Sequence, residues 1–129
     1  MSEQNVALVK VGYEAFARKD IAGVLELLAD DVQMSDPFGF SDGAYVGHEG
    51  FVQTVREATD AFDDYEIRAE DYIDTGDDVI VAVQIVGVGR GSGIPVDRRL
   101  FHVWTLRDGK AVRGRTFYTR KEALEAAGS

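Results

Sequence analysis

Apolar positions recur at helical spacing twice near the start of the chain. Val6, Val9, Tyr13 and Phe16 share one face of a first helix, and after the polar "RKD" a second helix places Ile21, Val24, Leu25 and Leu28 at i, i+3, i+4 and i+7. Asp20 suits the N-cap of the second, where a carboxylate accepts an unpaired backbone N–H. "ADD" closes that helix before a short strand through Val32 and Met34. The stretch "SDPFGFSDGAYVG" is dense in turn formers and reads as a loop. A third helix follows from the spacing of Phe51, Val55, Ala58 and Phe62. From Asp63 the period changes to two, with Tyr65, Ile67 and Ala69 alternating with polar residues. "DDVIVAVQIVGVG" is nearly continuously apolar, the pattern of a strand covered on both faces. After the turn cluster "RGSGIP", "VDRRLFHVWTL" and "AVRGRTFYT" read as two strands joined at the hairpin signal "RDGK". The tail "RKEALEAAGS" reads as a short helix.

The order helix, helix, strand, helix and four strands predicts an α+β domain, with helices gathered on one face of a curved, mostly antiparallel sheet. A sheet folded over helices leaves a pocket between them, the usual seat of a small ligand. At 129 residues and 45% hydrophobic, residues 1–129 suffice for one domain with a real core.

Charge and composition then remove several function classes. A net charge of −9 repels phosphate backbones and anionic headgroups, so neither nucleic acid nor membrane is an expected partner. No basic segment precedes an apolar block and no apolar run approaches membrane length, which predicts a cytoplasmic protein. The absence of cysteine excludes disulfides, thiolate catalysis and Cys-type metal sites. Two histidines and scattered carboxylates without ligand spacing predict no metal site. "GVGRGSG" lacks the strand-to-helix context of a dinucleotide fingerprint and reads as a loop.

Two residues stand out chemically. Asp36, in "SDPFGF", is either a turn former before proline or a carboxylate whose apolar surroundings, Pro37, Phe38 and Phe40, fit it for proton transfer. His102 lies inside an apolar strand on the face of Leu100, Trp104 and Leu106. It is either a hydrogen-bonded core residue or a donor placed to polarise a carbonyl or enolate oxygen. His48, in "VGHEG", reads as a surface or capping residue.

The segments "YEAFARKDIAGVLELLADDV", "SDPFG", "YVGHEGF", "FHVWTLRDGKAV" and "EALEAAG" together resemble one family over nearly the whole length. It is the SnoaL-like polyketide cyclases and ketosteroid isomerases of the nuclear-transport-factor-2-like superfamily. The resemblance implies a cone-shaped fold in which three helices close a strongly bent sheet around a deep apolar pocket. It further places Asp36 of "ADDVQMSDPFG" at the catalytic base of the isomerases. The tyrosine of the isomerase oxyanion hole falls on Gly12, with Tyr13 one residue on and turned about 100° around the helix. The aspartate of that hole falls on His102. The inward positions of the last strand become Gly114, Thr116 and Tyr118, none of them acidic, which disfavours epoxide hydrolysis and departs from the cyclases.

The resulting expectation is a cofactor-independent enzyme that moves a proton α to a carbonyl of an apolar, cyclic substrate. Asp36 would act as base and His102 would polarise the oxygen. Tyr13, Phe16, Phe38, Trp104, Thr116 and Tyr118 would contact the substrate. The rival is a noncatalytic binding or accessory domain that keeps the pocket. A homodimer through the outer sheet face is expected in either case.

Overall fold

The computed structural model describes residues 2–127. Helix α1 (Ser2–Ala17) and helix α2 (Ile21–Leu27) lead into strand β1 (Leu28–Ser35). Strand β2 (Ala44–Val46) and helix α3 (Gly47–Ala61) follow, then strands β3 (Phe62–Asp74), β4 (Asp78–Gly89), β5 (Pro95–Arg107) and β6 (Lys110–Phe117), and helix α4 (Arg120–Ala126). The last two residues of the expected tail helix, Gly128 and Ser129, lie outside the described residues. The α+β architecture is the expected one.

The local signals explain most boundaries. Asp20 caps α2, its Oδ1 accepting the Gly23 N–H at 3.0 Å. Thr119 and Glu122 form a reciprocal capping box that starts α4. Asp108 and Gly109 both have positive φ, as a two-residue hairpin between β5 and β6 demands. At two places the sequence pattern overran an element. Leu28 and Phe62 continue the apolar spacing of α2 and α3, yet both are extended. Each still donates its N–H to the preceding helix, to Leu25 and Ala58 respectively, and then opens a strand. Leu28 keeps the helical period because it is buried in the same core as Val24 of α2, whereas Phe62 packs instead on Phe40 at 4.8 Å. Strand β2, three residues inside the expected loop, is an addition; it pairs antiparallel with β1.

The six strands form one mixed sheet in the order β2-β1-β6-β5-β4-β3. Among the described residues only the β1–β6 pairing is parallel. Register shifts within β3 against β4, and between Thr105 and Leu106 of β5, are the kind of irregularity that bends a sheet. Period two then sorts the residues of β4: Val79, Val81, Val83 and Ile85 face the helices and are buried with Val9, Phe38 and Leu100. Ile80 faces the other way and is buried with Val103 and Ala123 beneath α4. The apolar run of β4 is therefore covered on both faces, as its composition requires.

The outer sheet face, where a homodimer contact is expected, is thus partly occupied by α4. Arg120 of α4 pairs there with Asp71, and beyond that helix the face carries the polar pairs Glu70 with Arg99 and Gln84 with Asp97. Among the described residues no helix is long and apolar enough to cross a membrane.

Candidate functional site

The loop after β1 organises everything around it. Asp36 is only 6% exposed, and its carboxylate accepts three backbone N–H groups: Phe38 at 3.0 Å, Phe40 at 3.0 Å and Ser41 at 3.1 Å. An ionised carboxylate has lone pairs for such a set, and charge-assisted bonds of this kind are among the stronger ones. The loop carbonyls are tied from outside. Thr116 Oγ1 donates to the Asp36 carbonyl at 3.0 Å, and His102 Nε2 to that of Pro37 at 2.7 Å. Tyr118 Oη and Arg98 Nη1 both donate to that of Gly39 at 3.1 Å. Gly39 has φ of 72°, and a Cβ there would lie 2.9 Å from Leu100 Cδ1, so no other residue fits without strain. The clamp drives Phe38, 2% exposed, inward.

Behind the loop, Tyr13 of α1 meets His102 and Trp104 of β5, which lie 89 and 91 positions away in sequence. The Pro37 carbonyl can only accept, so His102 Nε2 carries the proton and Nδ1 is left as an acceptor. The Tyr13 hydroxyl donates to it across 2.6 Å, and the Tyr13 oxygen accepts Trp104 Nε1–H at 2.8 Å. Desolvation of the buried imidazole pushes the His102 pKa down to about 4, against an opposing pull from the Pro37 carbonyl. Burial likewise holds the Tyr13 phenol far above its ordinary range, although the Trp104 bond favours ionisation. Both groups are neutral at physiological pH, as their shared hydrogen bond requires. Trp104 reaches Tyr13 because its cross-strand partner is Gly114, where a Cβ would sit 2.5 Å from Trp104 Cζ3. The room that an acidic side chain would take on the last strand is filled by the indole.

Tyr13, His102 and Trp104 form one side of an apolar cavity of about 70 Å³, where α1, the 36–41 loop and β5 face one another. Pro37, Phe38 and Phe16 complete the near wall, with Phe51 and Ile67 beyond, and the wall is apolar throughout. Ligand clefts typically span roughly 300–1,000 Å³ and a cavity of roughly 150 Å³ holds benzene, so a single ring enters this one only by displacing part of its wall.

Of the residues expected to contact a ligand, Tyr13, Phe16, Phe38, His102 and Trp104 line the cavity, and Asp36, Thr116 and Tyr118 do not. Thr116 is taken up by the Asp36 carbonyl, and Tyr118, 53% exposed, lies over the outside of the loop. Sequence reasoning missed Gly12 and Ala111, whose small size makes part of the hollow. The alignment that set Tyr13 beside the isomerase tyrosine was a usable pointer to Gly12. His48 bonds the Leu28 carbonyl at 2.9 Å and ties α3 to β1. Among the described residues no cluster of three or more His, Asp or Glu side chains is placed to hold a metal.

With this geometry in hand, the likenesses to known proteins are informative. The model of the SnoaL-like domain matches residues 9–114. No functionally curated protein matches the sequence. Among solved structures, an NTF2-like protein of Burkholderia thailandensis superposes with a TM-score of 0.81 at 27% identity, covering 92% of this chain and 95% of that one. An NTF2-like protein of unknown function from Burkholderia pseudomallei gives 0.79 at 25% identity, covering 98% of each chain. TerC, solved with polyporic acid, gives 0.78 at 24% identity over 98% of this chain and 99% of its own, a likeness of fold.

Proposed function

The chain belongs to the SnoaL-like family, and from that premise we propose that it is a binding domain for a small apolar molecule held between α1, the 36–41 loop and β5. The observation that carries this reading is the saturation of the polar groups nearest the cavity. Both nitrogens of His102 are engaged, and the Asp36 carboxylate is turned to three N–H groups of its own loop. Apolar burial is then the driving force for a ligand, at about 25 cal/mol per Å² removed from water. Phe16, Phe38 and Trp104 supply flat faces for it, while Asp36, Thr116 and Tyr118 serve by holding the loop in place.

Proton transfer by Asp36 and His102 would require the loop to give up part of this set. A general base must come within hydrogen-bond reach of the proton it takes. Asp36→Asn alone does not separate the readings, since the substitution also puts a donor amide against the loop N–H groups.

Trp104 is the single tryptophan, so its emission reports the cavity directly. Titration with single-ring apolar compounds is expected to give a saturable emission change in the native protein, and a much weaker one in Ala111→Leu, which fills the wall. The reading is overturned if a cyclic enolisable ketone is turned over and His102→Phe abolishes turnover while ligand binding persists.

A further inference from the structure

We infer that Phe16 is a partition that sets the length of ligand this site accepts; the inference rests on the binding reading above. A second hollow of about 740 Å³ adjoins the cavity, formed by the end of α1, the start of α2, α3 and the beginning of β3. Phe16 and Ile67 line both spaces. The Phe16 ring packs with Phe38 and Phe51, at centroid distances of 6.4 and 6.3 Å, and both line the cavity. Tyr65, which lines the outer hollow, packs against Phe16 at 6.4 Å and against Phe38 at 5.3 Å, so the aromatic cluster runs on from the cavity to the hollow. Phe16, with Ile67, is therefore the shared wall of a small apolar inner space and an outer one within the range of ordinary ligand clefts.

The two spaces differ in chemistry as well as volume. The inner wall is apolar, whereas the outer hollow has an ionic rim, with Arg90 paired to Asp63 at 3.2 Å and bonded to the Thr59 carbonyl at 2.8 Å. The matching ligand class is an elongated amphiphile. Its aromatic end would sit against Trp104, its methylene chain would cross the line between Phe16 and Ile67, and its hydroxyl would meet the rim. With Phe16 in place the chain is cut short, so the native protein selects a ring with a short substituent.

Phenylalkanols from benzyl alcohol to 6-phenylhexanol test this, titrated into the native protein, Phe16→Ala and Ile67→Ala and followed by Trp104 emission and calorimetry. Affinity for the native protein is expected to stop rising after the first one or two added methylenes. In both variants it should keep rising, by roughly fourfold for each methylene buried. Equal dependence on chain length in the native protein and the variants, with clear binding in all, overturns the partition and leaves the binding reading standing. Failure of every compound to bind any of the three defeats the binding reading, and the partition with it. If Phe16→Ala loses its native circular dichroism, Ile67→Ala opens the same line from the sheet side and decides alone.

Discussion

The 36–41 loop and the cavity wall share Pro37 and Phe38, yet they treat polarity in opposite ways. The loop gathers polar groups from β5, β6 and its own first residue and satisfies them on its backbone. The wall a few ångströms away presents no polar surface to the cavity. The difference teaches that a conspicuous carboxylate and histidine need not be aimed at a ligand. Here they fix the shape of the surface that a ligand would touch.

The strongest way to break this contrast is to remove the carboxylate. Asp36→Ala strands three backbone N–H groups, and denaturant unfolding is expected to show a loss of about 4 kcal/mol. A near-neutral result would mean that the loop does not depend on Asp36 and would return that residue to the proton-transfer role.

Acid should undo the other half of the clamp. In the folded chain burial holds His102 neutral down to about pH 4, while in the unfolded chain it titrates near its ordinary 6.5. Between those values the unfolded state binds a proton that the folded state refuses, so this contribution is complete above pH 6.5 and is lost as pH falls towards 4. The loss amounts to about 3 kcal/mol. Unfolding measured against pH should show this slope in the native protein and lack it in His102→Phe, which is less stable throughout.

A smaller effect sharpens the comparison from the side of the wall. Gly114→Ala pushes a methyl into the Trp104 ring and should lower stability by about 2 kcal/mol while shifting the indole emission. An unchanged spectrum would show that Trp104 does not depend on the glycine for its pose.

Much of this was legible in the sequence, and the limits are physical. Elements followed from periodicity, and Asp20 and "RDGK" marked a cap and a turn through local chemistry that acts within a few residues. Asp36 was legible as a choice between two roles, but the choice depends on where its oxygens point. The bond from Tyr13 to His102 joins positions 89 apart and depends on how α1 is rolled over the sheet, which no local pattern encodes. The pairing of Trp104 with Gly114 was out of reach, since register counted back from the hairpin sets Trp104 against Arg113. A shift beside Thr105 in β5 moves the pairing on by one residue, to Gly114. Strand β2 escaped because three residues among glycines carry too little pattern to be called a strand.

The parallel pairing of β1 with β6 has a kinetic consequence. Asp36 and Thr116 are 80 residues apart, and the loop that begins at Asp36 is clamped from β5, β6 and the turn that follows. Closing so long a segment is entropically unfavourable before any contact rewards it, and non-local pairings of this kind slow folding. Hairpins β3–β4 and β5–β6 are able to form early from near neighbours, whereas β1 waits for β6. The apolar cavity is accordingly expected among the last features to assemble, and a chain caught before that step would hold its hairpins without the hollow between α1, the 36–41 loop and β5.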